Sequence, residues 1–325
     1  MIQTGTARLR KEELMAEITV KELNDFALCD VENKILEEER IYSERIEQIA
    51  ERIVSSSSVR LILLAGPSGS GKTTTANLIA DAIRRRGVDS TVLSLDDFYR
   101  NVADPDYPRN KKGELDFECP EALCLCDLTK TLSDICEGKP FLVPKYEFKS
   151  GSRIGENLHE SYGHGCVIIE GLHALNPSIS SLLPKERVLK LFVSVSTNIN
   201  KKGIRILSGR KVRFIRRLVR DSIYRGASAE KTLSFWRGVL AAEDDYLYPY
   251  KQTADMAFNT FHTFELGVMK PYAEALITKE VAAANPIART ALEALSELVS
   301  IPEGLVPETS LIREFIPGGI YEDLY

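Results

Sequence analysis

Eight consecutive residues, Gly66 to Thr73, read GPSGSGKT and follow the apolar run Leu61 to Leu64. Glycines at 66, 69 and 71 permit backbone angles closed to other residues, so successive amide N–H groups can turn inward around a phosphate. Lys72 adds a mobile positive charge for β and γ phosphates. Thr73 offers a hydroxyl to Mg²⁺, and the helix that follows points its positive end at the anion. The expected nucleotide contacts are Gly66, Ser68, Gly69, Ser70, Gly71, Lys72, Thr73 and Thr74. A glycine-rich turn that binds nothing is the bland alternative, and eight matched positions between a strand and a helix weigh against it.

Two acids follow other apolar runs: Asp96 after Val92 to Leu95, and Glu170 after Val167 to Ile169. In a parallel sheet the carboxyl ends of the strands are where functional groups gather. Phosphoryl transfer to a hydroxyl needs one carboxylate to take the hydroxyl proton and another to hold Mg²⁺, directly or through water. Asp96 suits the first role and Glu170 the second, with Thr73 and Glu170 as the metal contacts expected from the residues. Either acid alone could merely cap a strand.

A third group is basic. Lys201 to Arg225 holds ten basic residues and one acid, a local charge of +9 in a chain of net charge −5. Arg213, Arg216 or Arg217, and Arg220 recur at helical spacing as one stripe, with Arg225 just beyond. Arginines on a mobile helix can close over a triphosphate and neutralise charge as it develops. A merely solvated face and a contact with RNA are the other readings of the same residues.

The elements that must position these groups alternate along the chain. Val59 to Leu64 reads as a strand, Thr73 to Arg86 as a helix stopped by Gly87, and Val88 to Leu95 as a strand. A helix over Pro120 to Cys136 follows, then strands at Phe141 to Phe148, Cys166 to Ile169 and Val188 to Val195. Such alternation predicts an α/β fold, a parallel sheet covered by helices on both faces. Ahead of it, residues 1–55 lack proline and carry Ile35, Tyr42, Ile46, Ile49 and Ile53 at near-helical spacing, a helical leader closed by Ser55 to Ser58. The expected layout is this leader, a central domain at 56–280 with a helical lid at about 200–228, and a tail at 281–325 with a helix over Ala288 to Val299.

With 325 residues, 44% of them hydrophobic, the chain can bury a full core. The acidic net charge argues against general nucleic-acid binding. No run approaches a membrane span, and Arg8, Arg10 and Lys11 are followed at once by acids, so a cytoplasmic protein is expected. The six cysteines show no paired CxxC spacing, which favours reduced thiols over a zinc site at Cys119, Cys124, Cys126 and Cys136.

From about Val59 to Pro271 the residues resemble the uridine kinase and phosphoribulokinase family of P-loop kinases. After the loop come SLDDFYR with Asp96, Phe98 and Tyr99, then DFECPEAL with Phe117, Glu118, Pro120 and Glu121. PKYEF follows with Tyr146 and Phe148, then the strand ending in Glu170 and Gly171. Last is the lid signature of Arg213, Arg216, Arg217, Arg220, Asp221, Arg225 and Gly226. The resemblance implies a P-loop NTPase-type sheet and transfer of phosphate from ATP, with Mg²⁺, to a small-molecule hydroxyl, typically the 5′-hydroxyl of a pyrimidine nucleoside. Carried onto this chain, Asp96 would be the base and a further metal contact beside Thr73 and Glu170, and Lys72, Arg213 and Arg217 would act on the transferring group. Arg220 would hold nucleotide, and Tyr99, Glu118, Tyr146 and Arg153 would meet the acceptor. Family members often assemble as homo-oligomers.

The chain is also similar to a bacterial uridine kinase-like subgroup in which the kinase follows a region related to threonyl-tRNA synthetase; a helical leader stands in that place here. It departs from the family where a base-reading histidine is replaced by Gly151, followed by Ser152 and Arg153. It departs again at Lys211 and Val212, which open the lid, and at Leu240, Ala241 and Ala242 behind Trp236. Two alternatives therefore stand beside the nucleoside kinase: a kinase for another polyol or sugar phosphate, and a nucleotide-binding regulator with little turnover.

Overall fold

The computed structural model describes residues 16–56, 58–110, 113–147, 149–160, 165–181 and 183–324. Arg8, Arg10, Lys11 and Phe148 lie outside them. The described residues open with β1 (Glu17–Thr19), α1 (Val20–Leu28) and α2 (Val31–Ser55), then β2 (Leu61–Ala65), α3 (Lys72–Arg85) and β3 (Ser90–Ser94). Next come α4 (Leu125–Glu137), β4 (Phe141–Glu147), β5 (Ser152–His159), β6 (Cys166–Glu170), α5 (Pro177–Ser180) and β7 (Val188–Ser194). The remainder is β8 (Asn198–Lys201), β9 (Ile204–Leu207), α6 (Gly209–Arg225), α7 (Ala229–Tyr246), β10 (Met256–Asn259), α8 (Glu265–Leu276), α9 (Lys279–Ala284) and α10 (Pro286–Ser296).

These elements gather into two compact units, each drawn from separate stretches of sequence. One, from residues 39–192 and 234–255, holds parallel strands in the order β7-β2-β6-β3. Every residue of β2 and β6 is buried. That suits Leu-Ile-Leu-Leu-Ala and Cys-Val-Ile-Ile-Glu, because strands covered on both faces tolerate unbroken apolar runs. Helices α3 and α4 pack beside these strands. The part of α2 from residue 39 onward belongs to this core: Tyr42, Ile46, Ile49 and Ile53 are buried along one side of it, and Glu47 pairs with Arg85 at 2.6 Å and with Arg86.

Two expected elements differ. The segment from Phe141 does not join the parallel strands; it folds back on β5 as an antiparallel hairpin, Phe141 opposite His159, because a turn at 149–151 leaves no room for a crossover. The helix expected over Pro120 to Cys136 is divided into a 3₁₀ turn at Pro120–Ala122 and α4, which begins only at Leu125.

The other unit, from residues 16–38, 193–233 and 256–324, carries a sheet ordered β1-β8-β9 with α6, α8, α9 and α10. Asn24 ties α1 to its C-terminal part, donating to Glu297 O and accepting from Val299 N, both at 2.9 Å. Helix α6 is closed by Gly226 in the left-handed region (φ 59°). On it Arg216 makes a forked ion pair with Glu265, at 2.9 and 2.6 Å, with neither side chain exposed to solvent. The Arg216 guanidinium also donates to Thr260 O at 2.7 Å and lies 4.9 Å from the Phe315 ring centre.

Candidate active site

The phosphate loop is built by glycine at two points. Gly69 (φ 72°) and Gly71 (φ 83°) take left-handed angles, and Gly71 is the residue from which α3 starts. A side chain at either would be strained there. Ser70 N donates back to Pro67 O at 3.2 Å, and Lys72 Nζ donates to the same carbonyl at 3.4 Å. Thr74 and Ser70 are buried beneath the turn. Ser68 N donates to Glu243 Oε1 at 3.0 Å, so the loop's outer amide is held by an acid from α7.

Strand register places the next groups level with the loop. Glu170, the last residue of β6, stands opposite Leu64 of β2 and Ser94 of β3. Its Oε1 accepts from Thr73 Oγ1 at 3.3 Å and from Ser94 Oγ at 3.2 Å. Ser94 Oγ in turn accepts from Asp96 N at 3.2 Å, capping the 3₁₀ turn Leu95–Phe98 that carries Asp96 and Asp97. A continuous line therefore runs from Thr73 through Glu170 and Ser94 to Asp96. Its hydroxyl and carboxylate oxygens are the hard donors that Mg²⁺ takes. Glu170 is buried and Asp96 exposed, which suits a fixed metal contact and an accessible base. Burial, then the charge of Asp96, pushes the Asp97 carboxyl up to about 6.

Beyond Asp96 lies an aromatic cluster. Tyr99 and Tyr146 stack obliquely with ring centres 5.5 Å apart, and the Tyr99 phenol donates to Phe117 O at 3.1 Å. Burial, then the charges of Asp96 and Glu118, pushes the Tyr99 phenol well above its ordinary range. Glu118 is half-buried, its amide donating to Asp116 Oδ1 at 3.0 Å. Arg153 directs its guanidinium to Asp127 at 2.5 Å and to the carbonyls of Tyr99 and Phe98 at 3.0 and 3.3 Å, so it braces the turn that presents Tyr99. Gly151 sits at φ 65°, where a Cβ would stand 2.9 Å from Val102 Cγ2. A side chain at position 151 would therefore be strained and would have to displace Val102. His173, 4% exposed and edge-on to Tyr246 at 5.8 Å, is kept neutral by burial, which lowers its imidazole to about 4.

The arginine stripe is embedded in its own unit. Arg213 and Arg216 have no exposed surface, Arg220 is buried, Arg217 is half-buried and Arg225 exposed. Asp221 gathers three of them: Arg220 at 2.8 Å, Arg217 at 3.1 Å and Arg225 at 3.4 Å. Burial pushes the Asp221 carboxyl up, but Arg220, Arg217 and Arg225 together hold it below its ordinary value.

Of the residues singled out in sequence, Thr73, Glu170 and Asp96 are linked through Ser94. Lys72 caps the same loop, and Tyr99 and Tyr146 pair beside Glu118. Ser94, Glu243, His173 and Tyr246 were not foreseen. Ser94 had a signal, since it is the final strand residue before the acid; the others lie outside any motif and approach the loop or the cluster only through the fold. Among the described residues no cluster of metal-ligating His, Cys, Asp and Glu stands at the cysteines, and no helix is long and apolar enough to cross a membrane.

The sequence model described as Phosphoribulokinase / Uridine kinase family matches residues 61–266. Uridine-cytidine kinase A of Dictyostelium discoideum is 32% identical over 199 residues, covering 60% of this chain and 35% of that protein. Uridine kinase of Lactobacillus helveticus is 29% identical over 198 residues, covering 60% of this chain and 84% of that protein. The chain thus spans about a third of the length of the Dictyostelium relative. The structure of a possible uridine kinase from Bacillus stearothermophilus aligns at TM-score 0.44 and 17% identity, over 66% of this chain and 98% of that one.

Proposed function

The chain belongs to the phosphoribulokinase / uridine kinase family, and on that premise we propose that it phosphorylates a small-molecule hydroxyl from ATP with Mg²⁺, the 5′-hydroxyl of a pyrimidine nucleoside being the first acceptor to test. The observation that carries this reading is the hydrogen-bonded line Thr73–Glu170–Ser94–Asp96 at the carboxyl ends of three parallel strands, beside a glycine-shaped phosphate loop. The names of the relatives supply the acceptor class.

In this reading the amides of the loop and Lys72 receive the phosphates. Thr73 and Glu170 would hold Mg²⁺, which when bound supplies charge neutralisation at the transferring group. Asp96, exposed on its turn, takes the proton of the acceptor hydroxyl, a task that contributes about 10²- to 10⁴-fold in rate. Tyr99, Tyr146 and Glu118 line the approach of the acceptor, apolar faces for a ring and a carboxylate for its hydroxyls. Arg213, Arg217 and Arg220 remain candidates for phosphate contact, with Arg217 the more accessible.

Two observations favour second readings. Gly151 offers no side chain to read a base, which keeps another polyol or a sugar phosphate open as acceptor. The altered lid, with Lys211 and Val212 at its opening and Leu240, Ala241 and Ala242 behind Trp236, keeps open a nucleotide-binding protein of low turnover. ADP production from ATP and Mg²⁺ against nucleosides, sugars, sugar phosphates and pantothenate separates these, with Asp96→Asn as the blank. Turnover with uridine or cytidine supports the first reading, turnover elsewhere the second, and ATP binding without transfer the third.

A further inference from the structure

The C-terminal turn of α7 touches both sides of the site just described. Glu243 has no exposed surface and accepts the Ser68 amide proton at 3.0 Å. Tyr246, three residues on and so on the same side of the helix, lies against His173 at 5.8 Å and packs on the cluster of Tyr107, Cys119 and Ala122. Trp236, Val239 and Ala242 are buried along the same helix and seat it. Ser68 is the third residue of GPSGSGKT and is followed by the first left-handed glycine of the turn, so the direction of its amide sets how the loop enters that turn.

We infer that Glu243 is a positioning residue of the nucleotide site. By accepting from Ser68 N it holds the outer limb of the phosphate loop in the shape that aims the inner amides at phosphate. It touches no reacting atom, and its effect on catalysis runs through the loop. A buried carboxyl group committed to a main-chain amide is a strong, geometrically selective contact. A preformed loop binds its anion without first ordering itself. The role rests on reading residues 66–73 as a nucleotide loop.

The test uses the full chain with ADP and Mg²⁺ as the probe, followed by calorimetry, beside steady-state KM values for ATP and for whichever acceptor turns over. Glu243→Leu, which removes the acceptor oxygen, is expected to weaken ADP binding about tenfold and to raise the ATP KM similarly while leaving the acceptor KM unchanged. Glu243→Gln keeps a carbonyl oxygen for Ser68 and should restore ADP binding to within about threefold of wild type. A purely structural residue would move both KM values together, and that result overturns the assignment. Glu243→Leu binding ADP as wild type does also overturns it. Should Glu243→Leu not fold, amide exchange at Ser68 in the unaltered protein decides: exchange well below the rate of an unprotected amide is expected, and exchange at that unprotected rate overturns the role. A wild-type chain that binds neither ADP nor ATP overturns the nucleotide-loop reading itself and this role with it.

Discussion

The Tyr42 phenol lies 2.8 Å from the Thr75 hydroxyl, which itself donates to Gly71 O at 2.6 Å. The leader helix thereby reaches, through one buried side chain, the glycine that starts the helix of the phosphate loop. Tyr42→Phe removes a single oxygen from this chain of bonds. Thermal or urea unfolding should show a loss of about 1 kcal/mol, the usual net worth of such a bond. An unchanged stability would mean the contact is incidental.

Asp96→Asn leaves the Ser94 cap in place, because the bond there uses the Asp96 amide and not its carboxyl. Turnover should fall by about 10²- to 10⁴-fold while ATP affinity holds. Near-normal rates would remove Asp96 from the role of base.

Glu170→Gln retains an oxygen for Thr73 and Ser94 but weakens the hold on a divalent cation. The Mg²⁺ concentration for half-maximal activity should rise by roughly 10- to 100-fold, the range seen when groups around a metal are altered. A proportional fall in rate at every Mg²⁺ concentration would point to a role other than metal binding.

Asp97 should titrate near pH 6, because burial and then Asp96 raise it from 3.8. Its folded form binds the proton more tightly than the unfolded chain does, so this group lowers stability as pH rises from about 4 to 6. Carboxyl NMR should show the midpoint falling in Asp96→Asn, and Asp97→Asn should flatten the stability profile across that window. A midpoint near 4 in the unaltered protein would contradict the environment described.

Glu265 neutralises a fully buried Arg216. Removing one partner of such a pair leaves an uncompensated charge, so Glu265→Ala should cost about 3–5 kcal/mol in urea unfolding. A loss under 1 kcal/mol would mean that Thr260 and Phe315 suffice to hold the guanidinium.

Much of the site is legible in sequence because it is local. The order of glycines before Lys72 and Thr73 needs only the rule that left-handed backbone favours glycine, and the structure uses it at Gly69 and Gly71. Asp96 and Glu170 could be found because apolar runs announce strands, and strand ends in a parallel sheet share one edge. The leader was legible for the same reason, as an apolar stripe repeating at helical spacing.

What tertiary structure alone decided are the pairings between distant residues. That Glu243 meets Ser68, that Arg216 is sealed against Glu265, and that the segment from Phe141 turns back on itself have no local signature. An acid on a helix, an arginine in a basic stripe and an apolar run look alike in sequence whether they face water, ligand or core. Only the packing of elements brought together from separate stretches of chain selects among those surroundings.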